Sequence, residues 1–167
     1  KIHKKIKLKN KKLLTIIIPR HIERKKSIIS NFNKYNLNYV THSSKKKINK
    51  NTDIYLVDVY GKALNYYNLT RLVFMGGSLV KHGGQNPLEP ARLGNFIIHG
   101  PNIDNFKEVY KLLKKLDLSN NINNAKQIEN YLIKKINYNL KKIKIEKLYS
   151  IGSKNLKYNI KELKEYV

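Results

Sequence analysis

Apolar and polar positions alternate along this chain in blocks of two different periods. Residues 13–18, LLTIII, form an unbroken apolar run closed by Pro19, the pattern of a parallel strand buried on both faces. The Pro19-Arg20-His21 corner then leads into helical spacing from about 22 to 32, which completes a first βα unit. Residues 39–41 read as a short strand, followed by the polar loop SSKKKINKNT. Residues 54–57 make a firmer strand, and helical spacing returns over 61–69. The next strand, 72–75, runs directly into a glycine-rich loop over 76–85, after which Pro87 fits the first position of a short helix reaching 92. A short strand at 96–98 ends at Gly100-Pro101, and 106–116 reads as a helix.

Strands that alternate with helices in this way predict a Rossmann-like α/β fold, a doubly wound parallel sheet covered on both faces, whose ligands sit beyond the carboxyl ends of the strands. Pro19, Asp58 and Gly76 each follow a predicted strand directly, so their motifs are expected to converge on one rim. From Ala125 the pattern changes. Ile128, Leu132, Ile136, Leu140 and Ile143 mark one face of a long amphipathic helix, Gly152 is expected to interrupt it, and a second helical run over 156–166 closes the chain. The Asn-rich stretch LSNNINNA reads as a loop before that helix. The expected organisation is a Rossmann-like domain over 1–124 with C-terminal helices over 125–167 packed on it.

Composition narrows the function classes. At 167 residues the chain can bury a core of its own. With no cysteine, a disulfide framework, a thiolate zinc site and a cysteine nucleophile are all excluded. No apolar run approaches the roughly 20 residues that span a bilayer. The basic N-terminal stretch KIHKKIKLKNKK lacks the apolar segment of a signal peptide. The chain has no initiator methionine and reads as part of a longer protein. A formal charge of +24 would ordinarily suggest a polyanion partner. However, the basic residues are spread along the whole length and only four of the 35 are arginine, the residue that phosphate readers favour. The Lys, Asn, Ile and Tyr bias is that of an A/T-rich coding sequence. Nucleic acid is therefore discounted as the main partner, whereas attraction to an anionic membrane surface is expected, each surface cation contributing on the order of 1 kcal/mol.

Candidate chemistry is concentrated in one stretch. Seven of the eight glycines fall between Gly61 and Gly100, and three of the four prolines between Pro87 and Pro101. Such clustering in a lysine-rich chain marks a backbone with special demands. Gly76-Gly77-Ser78 and then Gly83-Gly84-Gln85-Asn86 end where a helix begins, so their N–H groups can hold a phosphate; a surface turn has the same composition. Glu89, in the first helical turn, can accept two hydrogen bonds from a ribose diol or can merely complement the helix dipole. Arg20 is placed to pair with a phosphate or carboxylate, and Glu23 and Arg24 beside it allow plain surface pairing instead. The Tyr60-Gly61 backbone can line a base site.

Four stretches, IIIPRHIER, DVYGKALNYYNLTRLVFMGGSLV, GGQNPLEPA and HGPNIDNFKEV, resemble the 3-deoxy-D-manno-octulosonic acid (Kdo) transferases of lipopolysaccharide assembly, in that family's order and spacing over about 13–113. The resemblance implies two Rossmann-like domains facing a cleft, the GT-B arrangement, and transfer of Kdo from CMP-Kdo to a lipid A precursor, lipid IVA, with inversion and without metal or other cofactor. It implies CMP-Kdo contacts at Pro19, Arg20, the Tyr60-Gly61-Lys62 turn, Asn86, Pro87, Leu88 and Glu89, and the loop reading adds Gly76, Gly77 and Ser78. The family's turn usually reads Met-Gly-Glu, so Tyr60 and Lys62 are departures that leave a main-chain base contact possible but remove the acidic side chain. The family's catalytic base is a glutamate of its N-terminal domain, so no catalytic residue is assigned in this chain, and that domain is an expected partner. The implied location is the cytoplasmic face of a bacterial inner membrane. Three rival readings remain open from the sequence: an inactive CMP-binding remnant, a basic nucleic-acid-binding module, and a relative that uses a UDP-sugar.

Overall fold

The computed structural model describes residues 1–135 and 145–164. Strands and helices follow in the order α1 (Ile2–Lys7), β1 (Thr15–Ile17), α2 (Lys25–Lys34), β2 (Tyr39–Thr41), β3 (Ile54–Leu56), α3 (Ala63–Leu69), β4 (Leu72–Phe74), α4 (Leu88–Arg92), β5 (Phe96–His99), α5 (Lys107–Lys115), β6 (Ser119–Asn121), α6 (Ala125–Lys135) and α7 (Glu146–Lys164). Every strand pairing is parallel. β3 lies between β1 and β2, with Thr15 and Tyr39 both opposite Ile54, and β5 lies between β4 and β6, with Leu72 opposite Phe96 and Ile97 opposite Ser119.

The chain divides into two compact units, residues 1–66 with α6, and residues 67–124 with α7. In the first unit Ile54 and Leu56 of the central strand pack with Phe32 of α2, supported by Ile17, Ile28, Ile29, Leu37 and Tyr39. Residues one apart in β3 alternate between buried and half-buried, as the two-residue period of a strand requires. In the second unit Met75, Ala91, Ile97, Tyr110, Leu113, Leu118 and Leu148 form the core. Tyr110 and Leu113, three apart on α5, face it together while the lysines of that helix stay outside.

Two readings of the pattern need correction, and one stretch to which it assigns no element forms one. That stretch is the basic N-terminus. Ile2–Lys7 is helical, with Ile6 and His3 buried, and His3 Nδ1 lies 2.8 Å from Thr15 Oγ1 while its Nε2 lies 3.2 Å from Asp53 Oδ1. Lys7 pairs with the same aspartate and Lys5 with Glu129 of α6. The apolar face is a single turn wide, and the surrounding lysines conceal it. The Asn-rich stretch contains β6, an outer strand of its sheet, between Leu118 and Ile122, each 2% exposed. Asparagine is a poor strand former, but at a sheet margin the main chain needs only one partner, and the flanking apolar residues supply the burial. Gly152 does not interrupt a helix, because α7 starts at Glu146 and runs through it. Ile136, Leu140 and Ile143 of the expected long helix, and the end of the closing helical run at 165–166, lie outside the described residues.

Candidate donor-binding site

In the first unit the chain leaves β1 through Ile18 and half-buried Pro19, places Arg20 on the surface, and enters a 3-10 turn at Ile22–Arg24 before α2. It leaves β3 through Val57, which is fully buried, and then Asp58. The Asp58 carboxylate is 1% exposed and accepts hydrogen bonds from Ser43 N at 2.9 Å and Ser43 Oγ at 2.5 Å, with Lys25 Nζ at 2.5 Å. Burial works against its charge, but the bonds from Lys25 and Ser43 outweigh that cost and hold Asp58 down at about 2. Asp58 thereby ties the ends of β2 and β3 to the start of α2.

Immediately beyond this anchor lies the Tyr60-Gly61-Lys62 turn. Gly61 has φ +73, a left-handed conformation that costs a residue with a Cβ about 1 kcal/mol or more. All three residues are exposed, and Tyr60 Oη donates to Glu23 Oε1 at 2.9 Å. The residue that departs from the Met-Gly-Glu pattern therefore has a partner of its own, on the segment that follows Arg20. Glu23 is shifted below the ordinary carboxylate range, first by its own main-chain hydrogen bond and then by Tyr60. Behind the turn, His42 Nδ1 lies 2.6 Å from Tyr66 Oη and 3.1 Å from Tyr55 Oη, and burial followed by the Tyr55 hydrogen bond pushes the Tyr66 phenol to about 12. Sequence reading missed this cluster and Ser43, since neither spacing nor residue type connects positions so far apart.

In the second unit Met75 N bonds Ile98 O at 2.8 Å, which carries the sheet pairing one residue past β4. Gly76 is exposed and Gly77 half-buried with φ +74, and a Cβ on Gly77 would lie 3.8 Å from Gln85 Nε2, so the two ends of the loop meet. Ser78 is fully buried, and its hydroxyl is spent inside the loop. It donates to Met75 O at 2.6 Å and accepts from Gly100 N at 2.7 Å. At the far end Asn86 and Glu89 are exposed, whereas Pro87 is buried and Leu88 packs against the core. Asn86 Oδ1 accepts from Leu88 N at 3.0 Å and fixes the entry to α4, where Pro87 occupies the capping position and not the first helical one. Burial raises the Tyr67 phenol, and the Glu89 charge adds to the rise.

Within each unit the candidate residues gather beyond the carboxyl ends of parallel strands. Pro19-Arg20 and Tyr60-Gly61-Lys62 follow neighbouring strands and are joined through Tyr60 and Glu23, while Gly76-Gly77-Ser78 and Asn86 to Glu89 bound one loop. Parallel strands joined through helices, with glycine turns at their ends, define a Rossmann-like α/β fold.

Comparison with known proteins agrees. The chain is 35% identical over 113 residues to the 3-deoxy-D-manno-octulosonic acid transferase of Haemophilus influenzae, covering 68% of this chain and 26% of that protein. It is 34% identical over 155 residues to the transferase of the same description from Rickettsia felis, covering 91% of this chain and 32% of the relative. Among solved structures it matches the C-terminal CMP-Kdo binding domain of WaaA from Acinetobacter baumannii with a TM-score of 0.75 and 28% identity, over 80% of this chain and 69% of that one. No protein-family model matches the chain. The chain belongs to the Kdo transferase family, as the counterpart of its C-terminal domain. It spans about a third of the length of the Rickettsia relative.

Proposed function

We propose that this chain binds the CMP portion of CMP-Kdo and serves as the donor half of a transferase that passes Kdo to a lipid A precursor such as lipid IVA. The observation that carries the reading is the match over most of the chain to a solved CMP-Kdo binding domain, with the family's motifs in order. Pro19, Arg20 and the Tyr60-Gly61-Lys62 turn are the proposed contacts from the first unit. Gly76, Gly77, Asn86 and Glu89 are those from the second, with Ser78, Pro87 and Leu88 holding their backbone in place.

The chemistry follows from charge. Departure of CMP leaves negative charge growing on its phosphate. On this reading Arg20 and main-chain N–H groups stabilise that charge, as electrostatic donors set at the phosphate. The Glu89 carboxylate accepts hydrogen bonds from the ribose hydroxyls. The acceptor hydroxyl must lose a proton, and the group that takes it belongs to the N-terminal domain on this reading, as does most of the acceptor surface. The exposed lysines favour an anionic surface, in keeping with work at the cytoplasmic face of an inner membrane. None of the described helices is long and apolar enough to cross one. Residues 1–124 form the nucleotide-binding part on this reading, completed by the segment 125–167, whose described helices are α6 and α7.

Calorimetric titration with CMP tests the reading. Glu89→Ala is expected to weaken CMP binding by about tenfold, the value of a lost charge-assisted hydrogen bond, while leaving the unfolding midpoint unchanged because Glu89 is exposed. Equal affinity of the variant and the parent chain removes the ribose assignment. UMP binding as tight as CMP removes the cytosine preference. A salt-dependent affinity for RNA exceeding that for CMP turns the reading to nucleic acid.

A further inference from the structure

Three carbonyl groups of the loop over 76–86 are taken up by the segment that follows β5. Ser78 O accepts from Asn102 N at 2.9 Å and from Asn102 Nδ2 at 3.1 Å. Gly83 O accepts from Asn105 N at 3.2 Å, and Gln85 O accepts from Tyr110 Oη at 3.0 Å. The donors are three residues of the stretch GPNIDNFKEVY, which the sequence marks as a motif but to which the nucleotide reading gives no task. Backbone contact dictates glycine at Gly100, while φ values of +71 and +75 favour it at Gly83 and Gly84. A Cβ on Gly100 would sit 2.2 Å from Ser78 O, one on Gly83 would sit 2.5 Å from Asn105 Nδ2, and one on Gly84 would sit 3.2 Å from Asn102 O.

This arrangement has an electrostatic consequence. A peptide carbonyl aimed at a phosphate repels it, and a peptide N–H attracts it. With Ser78 O, Gly83 O and Gln85 O all bonded to the 102–110 segment, none of them is directed at a ligand. Among the described residues no main-chain carbonyl takes the N–H of Gly76, Gly77, Gly83 or Gly84, and Gly84 is itself a buried residue. Main-chain donors in such surroundings ordinarily find partners.

We propose that Asn102 and Tyr110 are positioning residues for the donor phosphate, holding the loop's carbonyls inward so that its N–H groups meet the phosphate oxygens. The proposal rests on the nucleotide reading above and assigns a task to the last of the four family stretches, HGPNIDNFKEV, and to Tyr110 directly after it. Neither residue touches the ligand. Both act through the loop, so they govern the phosphate's share of the affinity and not the base's.

That division supplies the test. CMP and cytidine differ only by the phosphate, and calorimetry on the parent chain gives the ratio of their affinities. Asn102→Ala, which removes one side-chain donor and keeps the main-chain one, is expected to lower that ratio about fivefold while cytidine affinity stays within about twofold. Tyr110→Phe deletes a single hydroxyl from a packed ring, is expected to stay folded where the alanine variant does not, and is read in the same way. Thermal melts identify the folded variants. A loss falling equally on CMP and cytidine, or no loss in either folded variant, overturns the positioning role and leaves the nucleotide reading standing. A parent chain that binds neither compound overturns both.

Discussion

After β3 and after β4 the chain does the same thing by opposite means. The turn after β3 is held by side chains, chiefly the buried Asp58 with Lys25 and Ser43, and beyond it Tyr60 reaches Glu23. The loop after β4 is held through its own main chain, with Gly100 against Ser78 and loop carbonyls accepting from main-chain and side-chain donors of the 102–110 segment. A side-chain anchor can be assembled from common residues at many positions, and it depends on pH. A main-chain anchor leaves almost no choice of residue and hardly responds to pH. Side chains such as Tyr60, which reaches Glu23, can therefore vary in the turn after β3, whereas the glycines after β4 are fixed by φ and by backbone contact.

The sharpest break of that contrast is Gly100→Ala. Its Cβ would meet the Ser78 carbonyl oxygen at 2.2 Å, a contact that main chain on both sides cannot relieve. A loss of about 3 kcal/mol is expected in urea unfolding, at the upper end of the usual cost of overpacking. A loss below about 1 kcal/mol would mean that the loop gives way easily and is not rigidly held.

Asp58 tests the other anchor. Removing the buried acceptor of an ion pair leaves Ser43 and the partly exposed Lys25 without their partner, and Asp58→Ala is expected to cost about 2 kcal/mol. The acid response carries the sign. The folded carboxyl sits at about 2 against an ordinary 3.8, so its contribution is complete above 3.8 and disappears as pH falls toward 2. The parent chain should lose stability over that interval more steeply than the variant, whereas Gly100→Ala should keep the parent's slope. His3 acts at a higher pH. Burial lowers its pKa below 6.5, so the neutral form stabilises the fold and that contribution fades as pH drops below 6.5.

These differences also explain what could be read from the sequence. The βα alternation from β1 to α5 was legible because its apolar runs have the period of their elements, and the strands at 54–57, 72–75 and 96–98 lie within a residue of their observed limits. The loop after β4 was legible because glycine and proline are rare in this chain and cluster there. The side-chain anchor was not. Asp58 was recognised by its place after a strand, but Ser43, Lys25, His42 and Tyr66 are ordinary residues brought to it or near it only by folding. The hold that Asn102 and Tyr110 exert on the loop was equally invisible, since it runs to carbonyl groups that every residue possesses. α1 and β6 were missed for a third reason, that lysine and asparagine enrichment covers the short apolar signal of an element only a turn or three residues long.

Gly152 is the control for the main-chain argument. It is the one glycine outside 61–100, and in α7 a Cβ there would find nothing within 4 Å. Its φ does not lie in the left-handed range, and it is exposed within a continuous helix. Nothing in its surroundings therefore demands glycine, and the residue only widens the conformational freedom of the unfolded chain. Gly152→Ala is expected to stabilise the chain by about 0.5–1 kcal/mol, a rise of a few degrees in the melting midpoint. Gly83→Ala, at φ +71 with Asn105 Nδ2 2.5 Å from the new Cβ, is expected to destabilise it. The opposite signs separate a glycine that the main-chain anchor requires from one that it does not. If both substitutions stabilise, neither the left-handed φ of Gly83 nor the Asn105 amide beside it demands glycine there, and the contrast with the Asp58 anchor rests on Gly100 alone.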